Sequence, residues 1–161
     1  MTESELTPDE LAAWRALQWA TALITSRFRA DLAGDGLSIV EFDVLVHLAW
    51  APEGTLPLQD LTASMVFGDS LSRSGLTRVL DRMERDGLVR RKLTPTDRRR
   101  FDVVLTAKGR RRFDAVWPAH EEGIRRYFVE PLTAGDIEVL TRVLGGLIEA
   151  NELELGMRAS D

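Results

Sequence analysis

The sequence predicts a mainly α-helical fold that contains one small β-hairpin. Apolar residues recur at three- and four-residue spacing along most of the 161-residue chain, which is the period of an amphipathic helix. Between residues 88 and 105 the pattern changes to two short extended runs with a turn-forming stretch between them. Several helix starts are also marked, because a Ser or Thr is followed three residues later by an acid.

The first two helices are predicted to begin at such capping boxes. Thr7-Pro8-Asp9-Glu10 starts a helix that we expect to run to about Leu32 and to end at Gly34-Asp35-Gly36. Ser38-Ile39-Val40-Glu41 starts a second helix, which Pro52 and Gly54 end. The apolar face of the second helix consists of Phe42, Leu45, Val46 and Ala49.

Two more helices and the hairpin follow. Leu58 to Met65 is predicted to be a short helix, and Ser72 is a cap for a fourth helix that Gly87 closes. The extended runs are Leu88 to Leu93 and Phe101 to Leu105, with a turn between them. Three helices followed by a hairpin form a winged helix-turn-helix, in which the hairpin is the wing. The fourth helix has an apolar stripe, which consists of Leu76, Val79, Leu80 and Met83.

The chain then returns to helix. One helix is expected after Thr106 to about Glu130, bent at Pro118, and a capping box at Thr133 and Asp136 starts the last one. The terminal helices have apolar faces that a domain of about 70 residues cannot cover, so we expect a second copy of the chain to cover them. The predicted regions are an N-terminal dimerisation helix (1–36), a winged helix-turn-helix domain (37–106) and C-terminal dimerisation helices (107–161). The predicted dimerisation residues are Leu11, Leu17, Ile137, Leu140, Leu144, Leu147 and Ile148.

Positive charge is concentrated in one part of the chain. Residues 72–113, here called the basic segment, contain 14 of the 21 Lys and Arg residues and five Asp or Glu residues, a local charge of +9. The rest of the chain has a charge of −14, which gives the net −5. An acidic protein with one basic segment is expected to press one face against a polyanion, and the winged helix-turn-helix makes duplex DNA the predicted partner.

The outer face of the fourth helix contains the predicted DNA contacts. The N-terminal residues of a helix in the major groove reach the base edges, so we assign base contacts to Arg73, Ser74 and Thr77, next to the cap Ser72. Arg78 and Arg82 lie one turn apart and suit phosphate contacts. The alternative is a solvated helix face with ion pairs such as Arg78–Asp81 or Arg82–Asp86.

The hairpin turn is rich in arginine. Arg98, Arg99 and Arg100 are expected to enter a minor groove, whose negative potential attracts arginine. Asp97 is expected to brace this turn by pairing with one of them. On the stem, Arg90, Arg91 and Lys92 would add attraction that does not depend on sequence. The alternative is a charged turn that only keeps the protein soluble.

In this region the chain resembles the MarR family of bacterial transcription regulators. The matching residues run from Leu71-Ser72-Arg73-Ser74-Gly75-Leu76-Thr77-Arg78 through Leu80-Asp81-Arg82-Met83-Glu84 to Gly87-Leu88-Val89. They continue with Asp97-Arg98-Arg99-Arg100 and Leu105-Thr106-Ala107-Lys108-Gly109, which form the family's wing signature, an Asp-x-Arg followed by Leu-Thr-x-x-Gly. The architecture resembles the family over the whole chain, whereas the specific motifs lie in 71–109.

The resemblance implies a homodimer whose first and last helices interlock and whose two winged modules read a pseudo-palindromic operator. It implies a transcription regulator. Many members of the family are repressors, and many release DNA when a small anionic or aromatic compound binds between the dimerisation arms and the DNA-binding lobe. The branch that senses oxidants through cysteine is excluded, because the chain has no Cys. One departure, the longer stretch Val66 to Ser70, leaves the tilt of the reading helix and the operator sequence open.

Aromatic residues in the first two helices suggest a ligand cleft, which is typically lined by apolar walls with few polar groups. The candidates are Trp14, Trp50 and His47, with Arg27 or Arg125 as partners for an acid. The alternative is that aromatics at helical spacing belong to the core and the dimer seam. His47 is also a candidate pH switch, although a satisfied or exposed histidine is the commoner case.

Other classes of function are disfavoured. We predict no cofactor, no metal site and no catalytic residue, since there is no Cys and the two histidines, His47 and His120, are far apart. Gly68-Asp69-Ser70-Leu71 spells an esterase motif, but neither histidine has an Asp three residues before it. A dimeric interaction module without DNA binding is the other alternative. With no run of eighteen apolar residues and no signal sequence, we expect a cytoplasmic protein. The resemblance implies the bacterial cytoplasm, on the nucleoid.

Overall fold

The computed structural model describes residues 6–65, 73–94 and 97–155, without the side chains of residues 73, 74, 94, 97–100 and 153–155. It confirms the predicted fold class, a mainly helical winged helix-turn-helix with a small antiparallel sheet. No helix in this part of the chain is long and apolar enough to span a membrane. The elements are α1 (Pro8–Gly34), α2 (Ile39–Trp50), a 3-10 turn (Pro52–Gly54), β1 (Thr55–Pro57), α3 (Leu58–Ser64), α4 (Arg73–Arg85), β2 (Val89–Thr94), β3 (Asp97–Leu105), α5 (Ala107–Ile124), a π-helical turn (Arg125–Val129) and α6 (Ala134–Leu155).

The chain divides into two compact units. The first, Met1–His120, contains α1 to α4, the sheet and most of α5. The second, Glu121–Asp161, contains the end of α5, the π-helical turn and α6. The candidate DNA-binding elements therefore all belong to the first unit.

The three predicted capping boxes are present. The Thr7 hydroxyl accepts from the Glu10 backbone N–H and the Thr7 backbone N–H donates to the Glu10 carboxylate. Ser38 and Glu41 make the same exchange at α2. A third box starts α6. Each box satisfies backbone donors that the first turn of a helix leaves unpaired.

The core of the first unit lies between α2, α3, α4 and the sheet. Leu45, Leu48, Leu61 and Met83 are fully buried, and so is Val103 of β3. The predicted stripe of α4 faces this core, since Leu76 and Leu80 are also buried. Burying such a side chain stabilises the fold by about 1.5–3 kcal/mol. The core therefore fixes which face of α4 points outward.

The sheet has one strand more than predicted and a different turn. Its strand order is β1-β3-β2, all antiparallel. Leu93 pairs with Phe101, at the ends of the two predicted extended runs. The next pair joins Thr94 to Asp97, so β3 has three extra residues, 98–100, between these two pairs. The prediction that Arg98 to Arg100 lie in a turn is wrong at the backbone level, because these residues belong to β3. An insertion of this kind is a β-bulge, which bends the strand that contains it.

The predicted helix from Thr106 to Glu130 is interrupted near its end. Pro118 lies inside α5, which continues to Ile124. The α-helical pattern is interrupted at the π-helical turn, where the Glu130 backbone N–H donates to the Arg125 carbonyl over 2.8 Å. The bend at Pro118 stays a prediction. A five-residue hydrogen-bond step is not marked by any hydrophobic period, so the sequence pattern did not reveal it.

Candidate nucleic-acid interface

The outward face of α4 includes part of the predicted reading surface. Thr77 and Arg78 are exposed on this helix, and Arg73 and Ser74 lie in its first turn. The predicted cap Ser72 lies outside the described residues, and so does the longer stretch from 66 to 70. Because the opposite face of α4 is in the core, its exposed face is available to a groove of DNA.

Arg82, predicted to hold a phosphate, has a partner inside the protein. Its Nε donates to Oε1 of Glu41 over 2.8 Å, and Glu41 is buried whereas Arg82 is half-exposed. Burial raises the pKa of Glu41, but hydrogen bonds from Ser38 and Arg82 outweigh burial and hold this pKa below its ordinary value. Arg82 therefore connects α4 to the start of α2.

Arg91, predicted to add attraction for DNA, is also engaged internally. Its guanidinium lies 2.6 Å from Asp81 and 3.0 Å from Glu84, both on α4. It also lies 5.1 Å from the centre of the Phe101 ring. Sequence reasoning missed these contacts, because Glu84 and Arg91 lie in different elements on either side of a turn and no helical or strand period relates them. Asp81 therefore pairs with Arg91 and Arg82 pairs with Glu41, and not with the partners of the alternative interpretation, Arg78 and Asp86.

The wing arginines and Asp97 are described at the backbone only. All four residues lie in β3, at or within the bulge where the ladder to β2 shifts. Their side chains lie outside the described set. Their assignment to the minor groove therefore stays a prediction, as does the bracing role of Asp97.

Several cations of the basic segment donate to the C-terminal ends of other helices. Lys108 Nζ donates to the Asp86 carbonyl just after α4, and Arg110 donates to the Ala49 carbonyl in the last turn of α2, each over 2.7 Å. Arg112 donates to the carbonyl of Asp35, the C-cap of α1. Cations at helix C-termini interact favourably with the helix dipole. These three side chains keep their charge but are directed at backbone carbonyls of the same chain.

The Leu-Thr-x-x-Gly motif joins α5 to the end of α4. The Thr106 hydroxyl accepts from the Gly109 backbone N–H and lies 2.7 Å from the Gly87 carbonyl, to which it donates. A Cβ on Gly109 would lie 2.1 Å from the Leu88 carbonyl oxygen, closer than real Cβ atoms approach. Glycine is required here because the backbone of α5 touches that of Leu88, the residue just before β2.

Six rings of α1, α2 and α5 form one cluster, which we call the aromatic cluster. Trp50 packs edge-on against Trp117, with 5.1 Å between ring centres, and is 64% exposed. His120 lies 4.5 Å from Phe28 and 4.5 Å from Phe42. Burial lowers the pKa of His120, opposed by the Asp31 carboxylate, and its Nδ1 is buried with no partner among the described residues. The aromatic cluster consists of Phe28, Phe42, Trp50, Phe113, Trp117 and His120.

The predicted ligand residues are brought together only in part. His47 and Trp50 share the last turns of α2, and His47 pairs with the buried Asp43 over 3.3 Å. Trp14 and Arg27 both lie on α1, where a rise of about 1.5 Å per residue separates them by roughly 20 Å. Arg125 belongs to the second unit and pairs with Glu122.

The predicted dimerisation residues form exposed or half-buried apolar surface. On α1, Leu11 is 42% and Leu17 is 39% exposed, next to the exposed Trp14. On α6, Leu147 and Ile148 are exposed, and the other three predicted residues of its stripe, Ile137, Leu140 and Leu144, are half-buried.

Comparison with known proteins identifies the family. Residues 35–100 match the MarR family model. AbsC, a MarR family transcriptional regulator from Streptomyces coelicolor, is 30% identical with a TM-score of 0.83, over 93% of this chain and 99% of that chain. Sco3205 from the same organism, whose structure is a complex with DNA, is 27% identical with a TM-score of 0.83, over 93% and 92%. NadR, solved with 4-hydroxyphenylacetate, is 27% identical with a TM-score of 0.62, over 91% and 96%.

Proposed function

Because this chain belongs to the MarR family of DNA-binding transcriptional regulators, we propose that it is a homodimeric repressor of a pseudo-palindromic operator, released by a small aromatic or anionic ligand. The family consists of regulators and not of enzymes, so the esterase alternative is set aside. Its motif, Gly68 to Leu71, lies outside the described residues. The alternative of an interaction module that does not bind DNA is disfavoured for the same reason.

The observation that best supports operator binding is the outward face of α4 beside the wing. Arg73, Ser74 and Thr77 read base edges in the major groove, Arg78 holds a phosphate, and Arg98 to Arg100 enter the minor groove. Arg82 reaches a phosphate only with the part of its guanidinium that Glu41 leaves exposed. Sco3205, which shares this fold and was solved in complex with DNA, supports DNA binding by this chain.

Dimerisation is supported by the apolar faces of α1 and α6. A monomer rarely exposes large contiguous apolar surface, and here Leu11, Trp14 and Leu17 on α1 are exposed together. A two-fold dimer presents two reading helices, so its operator has two half-sites about one helical turn apart. The spacing of the reading helices then controls affinity for the operator.

Ligand release is supported by the aromatic cluster. Its edge at Trp50 is exposed, and Nδ1 of His120 has no partner within the described part of the chain. Both features suit a flat ring with a polar substituent. NadR binds 4-hydroxyphenylacetate, an aromatic acid, and we propose the same class of ligand here. A ligand that binds only the wrongly spaced dimer shifts the population away from DNA.

Selection of binding sites from random duplexes tests the proposal. The purified chain is expected to recover an inverted repeat with half-site centres about 10 base pairs apart, and sedimentation is expected to give two chains per duplex. Recovery of no sequence, or binding by a monomer, contradicts it. Titration of the complex with 4-hydroxyphenylacetate, with 4-methylphenol as a control without a carboxylate, tests release.

A further inference from the structure

We propose that Arg91 is a positioning residue that holds the wing against the reading helix α4, so that both elements meet DNA as one rigid unit. The inference rests on the proposed function, since it concerns how DNA-binding elements are held together. Arg91 itself is not proposed to touch DNA.

Arg91 makes contacts to both elements at once. From β2, its guanidinium reaches Asp81 at 2.6 Å and Glu84 at 3.0 Å, one helical turn apart on α4. The Arg91 backbone N–H donates to the second oxygen of Glu84 over 2.8 Å. One carboxylate thus binds both the main chain and the side chain of β2. Charge-assisted hydrogen bonds of this kind fix geometry as well as adding energy.

The same guanidinium lies over the ring of Phe101 in β3, 5.1 Å from its centre. Phe101 follows Arg100 directly and pairs with Leu93 at the last regular step of the ladder before the bulge. Arg91 therefore fixes β3 at the residue next to the wing arginines. A shift of Phe101 would change where Arg98 to Arg100 meet the minor groove.

The surroundings of Arg91 do not suit a phosphate contact. Its side chain is 25% exposed and faces two carboxylates, so this group of three side chains has a net charge of −1. Arg90, the preceding residue on β2, is exposed, and its side chain has no hydrogen bond or ion pair with another described residue. Of the two neighbours, Arg90 is suited to attract DNA and Arg91 to hold the fold.

Glu84→Ala is expected to change the affinity for DNA in the direction opposite to the one that charge alone predicts. Glu84→Ala removes a negative charge near the DNA-binding face, and charge alone would make DNA binding tighter. Because Glu84 anchors Arg91, we expect weaker operator binding instead, by about tenfold, within the range for residues of one network. Asp86→Ala is the matched control. It removes one charge just beyond the same end of α4 without touching Arg91, and binding is expected to be equal or tighter.

A double-mutant cycle separates positioning from a general loss of structure. Arg91→Met should weaken binding by a similar factor in the native chain. It should have little further effect once Arg98, Arg99 and Arg100 are Ala, because no wing contact is then left to position. A merely destabilising or direct phosphate role predicts the same loss in both backgrounds.

The outcomes are distinct. Tighter or unchanged binding by Glu84→Ala, or an additive cycle, overturns the proposal. If thermal unfolding shows that Glu84→Ala does not fold, Asp81→Asn carries the same prediction, since Asp81 is half-exposed and its replacement is nearly isosteric. Failure of the native chain to bind any duplex contradicts the proposed function instead, and this is read from the native chain alone.

Discussion

Arg82 on α4 donates from Nε to Oε1 of Glu41, the buried acid of the capping box that starts α2. One carboxylate therefore caps α2 through Ser38 and holds α4 through Arg82. Glu41 directly precedes Phe42, a member of the aromatic cluster.

Arg82→Met is expected to lower the free energy of unfolding by about 1–2 kcal/mol, because Glu41 keeps its burial and loses a charged donor. Urea unfolding at fixed protein concentration measures this. Arg78→Met, one turn earlier and exposed, is the control and is expected to stay within about 0.5 kcal/mol of the native chain. Equal losses of unfolding free energy in both variants would show that the contact to Glu41 does not stabilise the fold.

The lowered pKa of Glu41 predicts a loss of stability in acid. A carboxyl whose pKa is depressed in the folded state contributes stability that is fully present above its ordinary pKa of about 4.3. That contribution is lost as the pH falls through the lower folded value. Unfolding free energies measured from neutral pH downward should fall less steeply for Glu41→Gln than for the native chain. Parallel curves would contradict the assignment.

His120 is expected to give the folding stability a second pH dependence, nearer neutrality. Because its pKa is lowered in the fold, the unfolded chain gains a proton at about pH 6.5, before the folded chain does. Stability is therefore complete above that pH and declines as the pH falls toward the folded pKa. NMR titration of the two imidazoles, assigned with His47→Gln, checks it. A His120 midpoint at or above the ordinary value would refute the prediction.

Gly109→Ala is expected to destabilise the first unit by about 1–3 kcal/mol, the usual cost of overpacking. The new methyl would meet the Leu88 carbonyl, so α5 or the residues just before β2 must move. Gly34→Ala, at the end of α1, is the matched control, since nothing lies within 4 Å of its added methyl. The free energy of unfolding of Gly34→Ala is expected to rise by about 0.5–1 kcal/mol, because Ala has the higher helix propensity. Calorimetric midpoints of both variants measure the contrast.

Replacing Arg98, Arg99 and Arg100 together by Ala is expected to weaken binding to every duplex and to flatten its salt dependence. Each lost phosphate contact should reduce the slope of log K against log salt by about 0.9. Fluorescence anisotropy over a series of salt concentrations measures this slope. An unchanged slope in the wing variant contradicts the wing assignment.

Arg73→Ala is expected instead to relax the sequence preference at one or two base pairs by about 1–3 kcal/mol each.

The sequence by itself determined the features that depend on near neighbours. Capping boxes such as Ser38 with Glu41 join residues three apart, and the stripe of α4 repeats every three or four residues, so both are visible before folding. These local signals, with the ordered wing motif, were sufficient for the fold class and the family.

Only the tertiary structure decided which charges are available to DNA. Arg82, Arg91 and Arg110 look alike in sequence, yet each bonds a group from another element: Glu41, Glu84 and the Ala49 carbonyl. The strand β1 and the wing bulge likewise depend on pairing with β3. The physical reason is that a hydrogen bond or ion pair depends on distance in space, and chain spacing predicts that distance only within one helix or strand.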